Sequence, residues 1–392
     1  MDSKSSKINN FSFRFALLSI SLVLTSAYAL SPAIPQMIKS FPDQSVSSIE
    51  LLVTVPAFSV MILVLLSSYI SKKVGEKLTV CIGLVLVTVF GIFPFFTSSY
   101  MLTLVSRIFL GAGFGLINSF AVSLISEFYK GSQKASMMGF RSGFESLGQA
   151  IMTFVAGLFL AFGWKYTTLV YLIAIPIFLL FYYYIPSDKK SQNLKNDADK
   201  VKNNIKQKIS LPVWGIAIFL FLIVIFYIGM TVRFPLIVTS YHLGNAEDAS
   251  LTLSIMTFGG MLLGFVFGFI YKTFKKYTLS LGIFCMAASN IIVNLSHIFI
   301  IVSIGAILSG IAYAIIVAYM FSLISDVSSL GSNTLSTSVV LVGCNLGALL
   351  APYGLKIVAT IFNNNSISLP FIVYGVILLM MGVGSLFLKK SV

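Results

Sequence analysis

Apolar runs long enough to cross a bilayer follow one another along almost the whole chain, broken by short polar stretches. Twelve are predicted as helices, at 13–37, 48–71, 78–97, 101–127, 135–162, 165–185, 212–241, 248–271, 277–296, 298–325, 332–356 and 368–388. The fifth run is two-sided. Phe140, Phe144, Leu147, Ile151, Phe154 and Leu158 form an apolar stripe, while Arg141, Glu145, Gly148 and Gln149 share the other face. Counted from Lys134 at ~1.5 Å per residue, Glu145 sits roughly 16 Å into a ~30 Å hydrocarbon layer. A charge at that depth costs roughly 2.5–3.5 kcal/mol to insert, so Glu145 is expected to face a bundle interior or a water-filled cavity.

The polar breaks repeat as well. Pro35 stands 37 residues before Lys72, and Pro235 stands 37 before Lys272. At an offset of 199, Ser123-Leu-Ile-Ser-Glu127 matches Ser322-Leu-Ile-Ser-Asp326, Gly111 matches Gly310, and Leu147-Gly148 matches Leu346-Gly347. The chain therefore divides into an amino-terminal six-helix bundle (1–185), a hydrophilic linker (186–211) and a carboxy-terminal six-helix bundle (212–392). A duplicated six-span unit places a substrate site between the halves near the bilayer midplane, the architecture of a transporter.

Composition fits the pattern: 57% of the 392 residues are hydrophobic and 10% charged, far from the roughly 25% charged of soluble domains. The net charge of +14 would suit nucleic acid, but its distribution excludes that partner. When the connections alternate between two sides, twenty of the 26 Lys and Arg residues fall on one side; three (Lys39, Lys165, Lys356) fall on the other, and three (Arg107, Arg141, Arg233) lie within spans. Both termini are thereby expected in the cytoplasm of a plasma-membrane protein. Asp43, Glu50, Glu247 and Asp248 are assigned to the outer side. The linker's basic second part is expected to lie on anionic membrane lipid or to act as a solvated tether. Lys4, Lys7 and Arg14 precede an apolar run ending in Ala27-Tyr28-Ala29, as in a cleaved leader. That run continues through Ser31-Pro-Ala-Ile-Pro35 at spanning length, which favours a retained first helix.

Cys81, Cys285 and Cys344 all fall inside apolar runs, which argues against a disulfide or thiolate metal site, and His242 and His297 are far apart. The G-x-x-x-x-G-K-[ST] loop is absent, so ATP does not power the chain. Neither a cofactor nor a metal is expected. An enzyme would need clustered catalytic groups at one depth, and none is apparent.

Three motifs carry a family resemblance. The loop after the second run reads Ser68-Tyr-Ile-Ser-Lys72-Lys73-Val-Gly75-Glu76-Lys77, echoed by Gly268-Phe-Ile-Tyr-Lys272-Thr-Phe-Lys275-Lys276. The fourth run holds Arg107-Ile-Phe-Leu-Gly111-Ala-Gly113-Phe-Gly115, and the fifth ends in Phe162-Gly163-Trp164-Lys165. On these the chain resembles the major facilitator superfamily over essentially its whole length, and in particular its twelve-span drug:proton antiporter branch. The resemblance implies an all-α membrane protein of twelve transmembrane helices in two pseudo-repeats. It also implies a gating loop at Lys72, Lys73, Gly75 and Lys77, and association of Arg107 with proton transfer. Two departures stand out. Lys72 occupies the position of the family's loop aspartate, and the Gly-Pro of the antiporter pattern in span five is replaced by Met152-Thr153, with Pro352 at the equivalent place in the second half.

The expected function is efflux of small amphipathic molecules in exchange for protons, by a monomer working through alternating access. Glu145 accepts the proton, and Arg107 and Arg141 set its protonation. Arg233 is expected either to contact an anionic or polar substrate group or to snorkel outward toward Glu247 and Asp248. Tyr28, Asn118, Gln149, Tyr227, Tyr313 and Asn345 are candidate cavity residues, or hydrogen-bond neighbouring helices. Gly111-x-x-x-Gly115, Gly139-x-x-x-Gly143 and Gly264-x-x-x-Gly268 are expected to be close-packing sites. Proton-coupled uptake, flipping of a lipid-linked molecule and a transport-null sensor remain open alternatives.

Overall fold

The computed structural model describes residues 11–129, 131–185, 209–329, 332–363 and 366–387. The linker segment 186–208, with the expected lipid contact, and Lys4, Lys7, Lys389 and Lys390 lie outside the described residues.

The regular structure of the described residues is all helical, as a chain must be where no water satisfies its backbone groups. The helices are α1 (Phe11–Ser19), α2 (Ile34–Ser40), α3 (Val46–Thr54), α4 (Pro56–Val74), α5 (Glu76–Ile92), α6 (Tyr100–Phe128) and α7 (Gly131–Phe159). They continue as α8 (Ala174–Tyr184), α9 (Leu211–Ser240), α10 (Ala246–Phe274), α11 (Thr278–Leu295), α12 (Phe299–Val327), α13 (Asn333–Ile361) and α14 (Leu369–Leu386). Among the described residues, eleven helical segments are long and apolar enough to cross a membrane; a pair bent by 43°, Phe11–Val23 and Ser26–Ser40, completes twelve if counted as one span.

The backbone from Ile20 to Val23 and from Ser26 to Ala33 is 3₁₀-helical, with Pro32 inside it and Pro35 opening α2; each proline lacks the amide proton that an α-helix would use. Pro56 likewise opens α4 immediately after α3. Asn245 and Asp248 form a reciprocal cap on α10, so Asp248 serves its own helix. Gly75 ends α4 at φ +89° and Gly163 turns the chain at φ +115°, both in the region that favours glycine.

Two compact units emerge, and their boundaries cut through spans. One comprises the described residues of Met1–Ala27, Val55–Gln149 and Thr168–Lys208. The other comprises those of Tyr28–Thr54, Ala150–Thr167 and Ile209–Val392. The second unit gathers pieces of the amino-terminal half because those pieces bond to later helices. Ser250 donates to the Thr153 carbonyl at 2.6 Å, and an atom built on Gly157 would meet the Ser250 hydroxyl at 2.2 Å.

The sequence repeat returns as a packing repeat. A Cβ on Gly148 would lie 2.1 Å from the Leu22 carbonyl oxygen, and one on Gly347 would lie 2.5 Å from that of Phe221, both partners displaced by the same 199 positions. Gly83 against Ile117 and Gly282 against Ile316, each at 2.8 Å, obey the same offset. Gly111 packs on Pro56 and Gly310 on Met256, with the backbone oxygen 2.3 Å from the built atom in each case. Gly115 meets Leu63, so the first predicted glycine pair is a helix contact. The third is not: Gly264 and Gly268 have no neighbour within 4 Å, and Gly139 has none either. Phe265 and Phe269 beside them are exposed, placing that stretch on an outward face.

Candidate functional site

The two-sided fifth span is present as α7. Of the predicted apolar stripe, Phe140, Ile151, Phe154 and Leu158 are exposed, as suits a lipid-facing surface, and Phe144 and Leu147 are half-buried; Arg141, Glu145 and Gln149 are half-buried and Gly148 is buried. Arg141 Nη2 lies 3.4 Å from Glu145 Oε2, one turn on, with the side chains 15% and 25% exposed. Arg141 also donates to Asn118 Oδ1 at 2.8 Å, so one guanidinium joins α6 to α7. The bare backbone at Gly148 lets α7 lean on the 3₁₀ stretch of the first span. The Thr25 hydroxyl there donates to the Glu145 carbonyl at 3.3 Å.

Arg107 on α6 is 1% exposed and serves the same bend from the other side. Its Nη1 donates to the Tyr171 hydroxyl at 3.0 Å and its Nη2 to the Ala27 carbonyl at 3.1 Å, while Tyr171 donates to the Ser26 carbonyl at 3.0 Å. Both carbonyls belong to the 3₁₀ stretch of the first span, and a buried cation is a strong donor to that of Ala27. Arg107 is thus linked to Glu145 through residues 25–27. Arg141, Asn118, Glu145 and Arg107 all belong to the first compact unit.

The second unit holds Tyr28, Tyr227, Tyr313, Asn345 and Arg233. Tyr227 on α9 and Tyr313 on α12 stack with ring centroids 4.0 Å apart and planes 5° from parallel, and Tyr28 lies within electrostatic reach of Tyr227 and Cys344. Asn345 donates to the Leu341 carbonyl of its own helix at 2.9 Å. Arg233 is 7% exposed and grips Glu50 through Nε to Oε1 and through Nη2 to Oε2 at 3.1 Å. Glu50, assigned from sequence to the outer side, is wholly buried on α3. A signal for this was legible: Ser47, Glu50 and Thr54 recur at helical spacing among Ile49, Leu52 and Val53, and all three are buried.

In the loop after α4, Lys73 lies over the Tyr69 ring at 4.8 Å and Lys77 over the Tyr182 ring at 4.7 Å. The Gly75 carbonyl accepts from the Thr79 hydroxyl at 2.8 Å. The side chain of Lys72 lies outside the described residues.

Known proteins give this geometry a context. The sequence profile described as Major Facilitator Superfamily matches residues 16–278. The nitrite extrusion protein of Bacillus subtilis is 25% identical over 74% of this chain and 73% of its own length. The quinolone resistance protein NorA of Staphylococcus aureus is 24% identical over 66% of each chain. Among solved structures, the inward-open xylose transporter XylE from E. coli superposes with a TM-score of 0.76 at 14% identity, over 97% of both chains. A D-xylose-proton symporter gives 0.73 at 17% identity, over 97% of this chain and 98% of its own. With its helical duplication and its family match, the chain belongs to the Major Facilitator Superfamily and is a multi-pass secondary transporter rather than an enzyme.

Proposed function

We propose that the chain exports small amphipathic molecules across the plasma membrane in exchange for protons, by alternating access, with both termini in the cytoplasm. The observation that carries this reading is the Arg141–Glu145 pair on α7. An ionised pair in mid-span is tolerated where water or a polar interior reaches it, and its partial exposure on the non-lipid face fits such a space. A carboxylate between desolvation and a cation can be tuned to operating pH. Arg141 is the direct counter-charge. Arg107 acts at one remove, by fixing the first-span backbone to which α7 is bonded. One relative is a nitrite extrusion protein and another a quinolone resistance protein, and the first of these supports export.

The test uses purified protein in vesicles with an imposed pH gradient and two fluorescent probes, ethidium and a fluoroquinolone. Exchange for protons moves probe into vesicles that are acidic inside and collapses the gradient. Probe accumulation driven by the opposite gradient would establish uptake symport instead, and saturable binding without flux would establish a sensor.

A further inference from the structure

We infer that Glu50 is a second proton-exchanging carboxylate of this transporter, and that taking up a proton there releases Arg233 and opens the contact between α3 and α9. The inference rests on the proton-coupled reading above but concerns different residues in a different compact unit.

The geometry is that of a closed pair in a dry place. Glu50 is 0% exposed and Arg233 7% exposed, and the guanidinium meets both carboxylate oxygens. Such a pair is balanced between a large desolvation cost and a large mutual attraction, so removing one charge leaves the other uncompensated. Arginine keeps its proton under all relevant conditions, and only Glu50 can change charge. The step is simple in its balance: one proton adds to a Glu50 oxygen, the carboxylate becomes a neutral acid, and the guanidinium stays cationic. A buried guanidinium without a counter-ion then gains by reaching water, which requires α3 and α9 to part.

Tyr374 on α14 is the second observation. Its side chain is 3% exposed, its hydroxyl has no hydrogen-bond partner among the described residues, and it lies within electrostatic reach of both Glu50 and Arg233. A buried phenol without a partner is costly, and this one sits where a displaced guanidinium or a protonated Glu50 would find an oxygen. Lys39 on α2, Asp43 in the following turn, and Tyr353 and Lys356 on α13 are exposed, while Tyr227 on α9 and Cys344 on α13 lie within electrostatic reach of Tyr28. α3 itself carries no second ionisable side chain.

The experiment follows labelling of Ser47→Cys, one turn from Glu50, by a membrane-impermeant maleimide in proteoliposomes, with Cys81, Cys285 and Cys344 replaced by serine. Rates are corrected with a free thiol at each pH. Labelling of this parent is expected to rise about tenfold as the pH is lowered from about 8 to about 5, because proton uptake at Glu50 frees the contact. In Glu50→Gln, which mimics the protonated acid, it should be fast at both values. A parent indifferent to pH, or a Glu50→Gln variant with the full response, would overturn the inference. Should Glu50→Gln not fold, the exchanged pair Glu50→Arg/Arg233→Glu decides: retention of the response supports the switch, and its loss in a folded protein refutes it. Glu145→Gln should keep the labelling response even where it abolishes coupled flux. Loss of the response in that variant would assign the proton to Glu145 and overturn the role of Glu50.

Discussion

Arg233 holds Glu50 with two nitrogens although 183 positions separate them in the chain. The pair fastens a short helix of the amino-terminal half to the first long helix of the carboxy-terminal half, inside one compact unit. Three intramembrane arginines were visible in the sequence, and each has a specific partner: Tyr171 and Ala27 for Arg107, Asn118 and Glu145 for Arg141, and Glu50 for Arg233.

Breaking the buried pair from one side is expected to be expensive. Glu50→Ala or Arg233→Ala should destabilise the protein by about 3–5 kcal/mol, because each leaves a buried charge alone. The apolar double replacement Glu50→Leu/Arg233→Met should cost far less than the sum of the two. Thermal unfolding in detergent checks this, and additive losses would contradict it.

The packing repeat makes a paired prediction about glycines. Gly148→Val and Gly347→Val should each impair folding, since their first side-chain atom collides with a backbone oxygen at 2.1 and 2.5 Å. Gly264→Ala and Gly268→Ala meet open space and should be neutral or stabilising by up to about 1 kcal/mol through helix propensity. Yield and melting temperature of the four variants separate the classes.

Tyr171→Phe should cost about 1.5–3 kcal/mol, the range for a hydrogen bond to a charged group, because Arg107 and the Ser26 carbonyl both lose the Tyr171 hydroxyl. Arg107→Lys should be at least as damaging, since an ammonium cannot reproduce the fork that serves Tyr171 and Ala27 together. Melting temperatures measured side by side decide the order.

The spans, the duplication and the two faces of α7 were legible because the bilayer imposes length and apolarity, and a helix imposes its period. Glu50 was not recognised because an acid near the end of an apolar run looks the same whether it points to solvent or inward. The polar stripe Ser47, Glu50, Thr54 distinguishes the two only when read as the inner face. The glycine motifs show the same limit. Gly111 and Gly115 touch neighbours and Gly264 and Gly268 do not, although both pairs have the same spacing. Spacing places residues on one face of a helix, and only tertiary packing says what that face meets. The bend in the first span was not read from the sequence, nor was the bond from Arg107 to the Ala27 carbonyl, which joins residues 80 positions apart.

The most direct test of proton coupling is substrate-driven proton movement in vesicles loaded with a pH dye, comparing the unaltered protein with Glu145→Gln. Addition of ethidium should move protons through the unaltered protein. Glu145→Gln should still bind the dye, seen as a fluorescence change at equilibrium, while moving markedly fewer protons in response. Proton movement of unchanged rate and extent in Glu145→Gln would contradict the role assigned to that carboxylate.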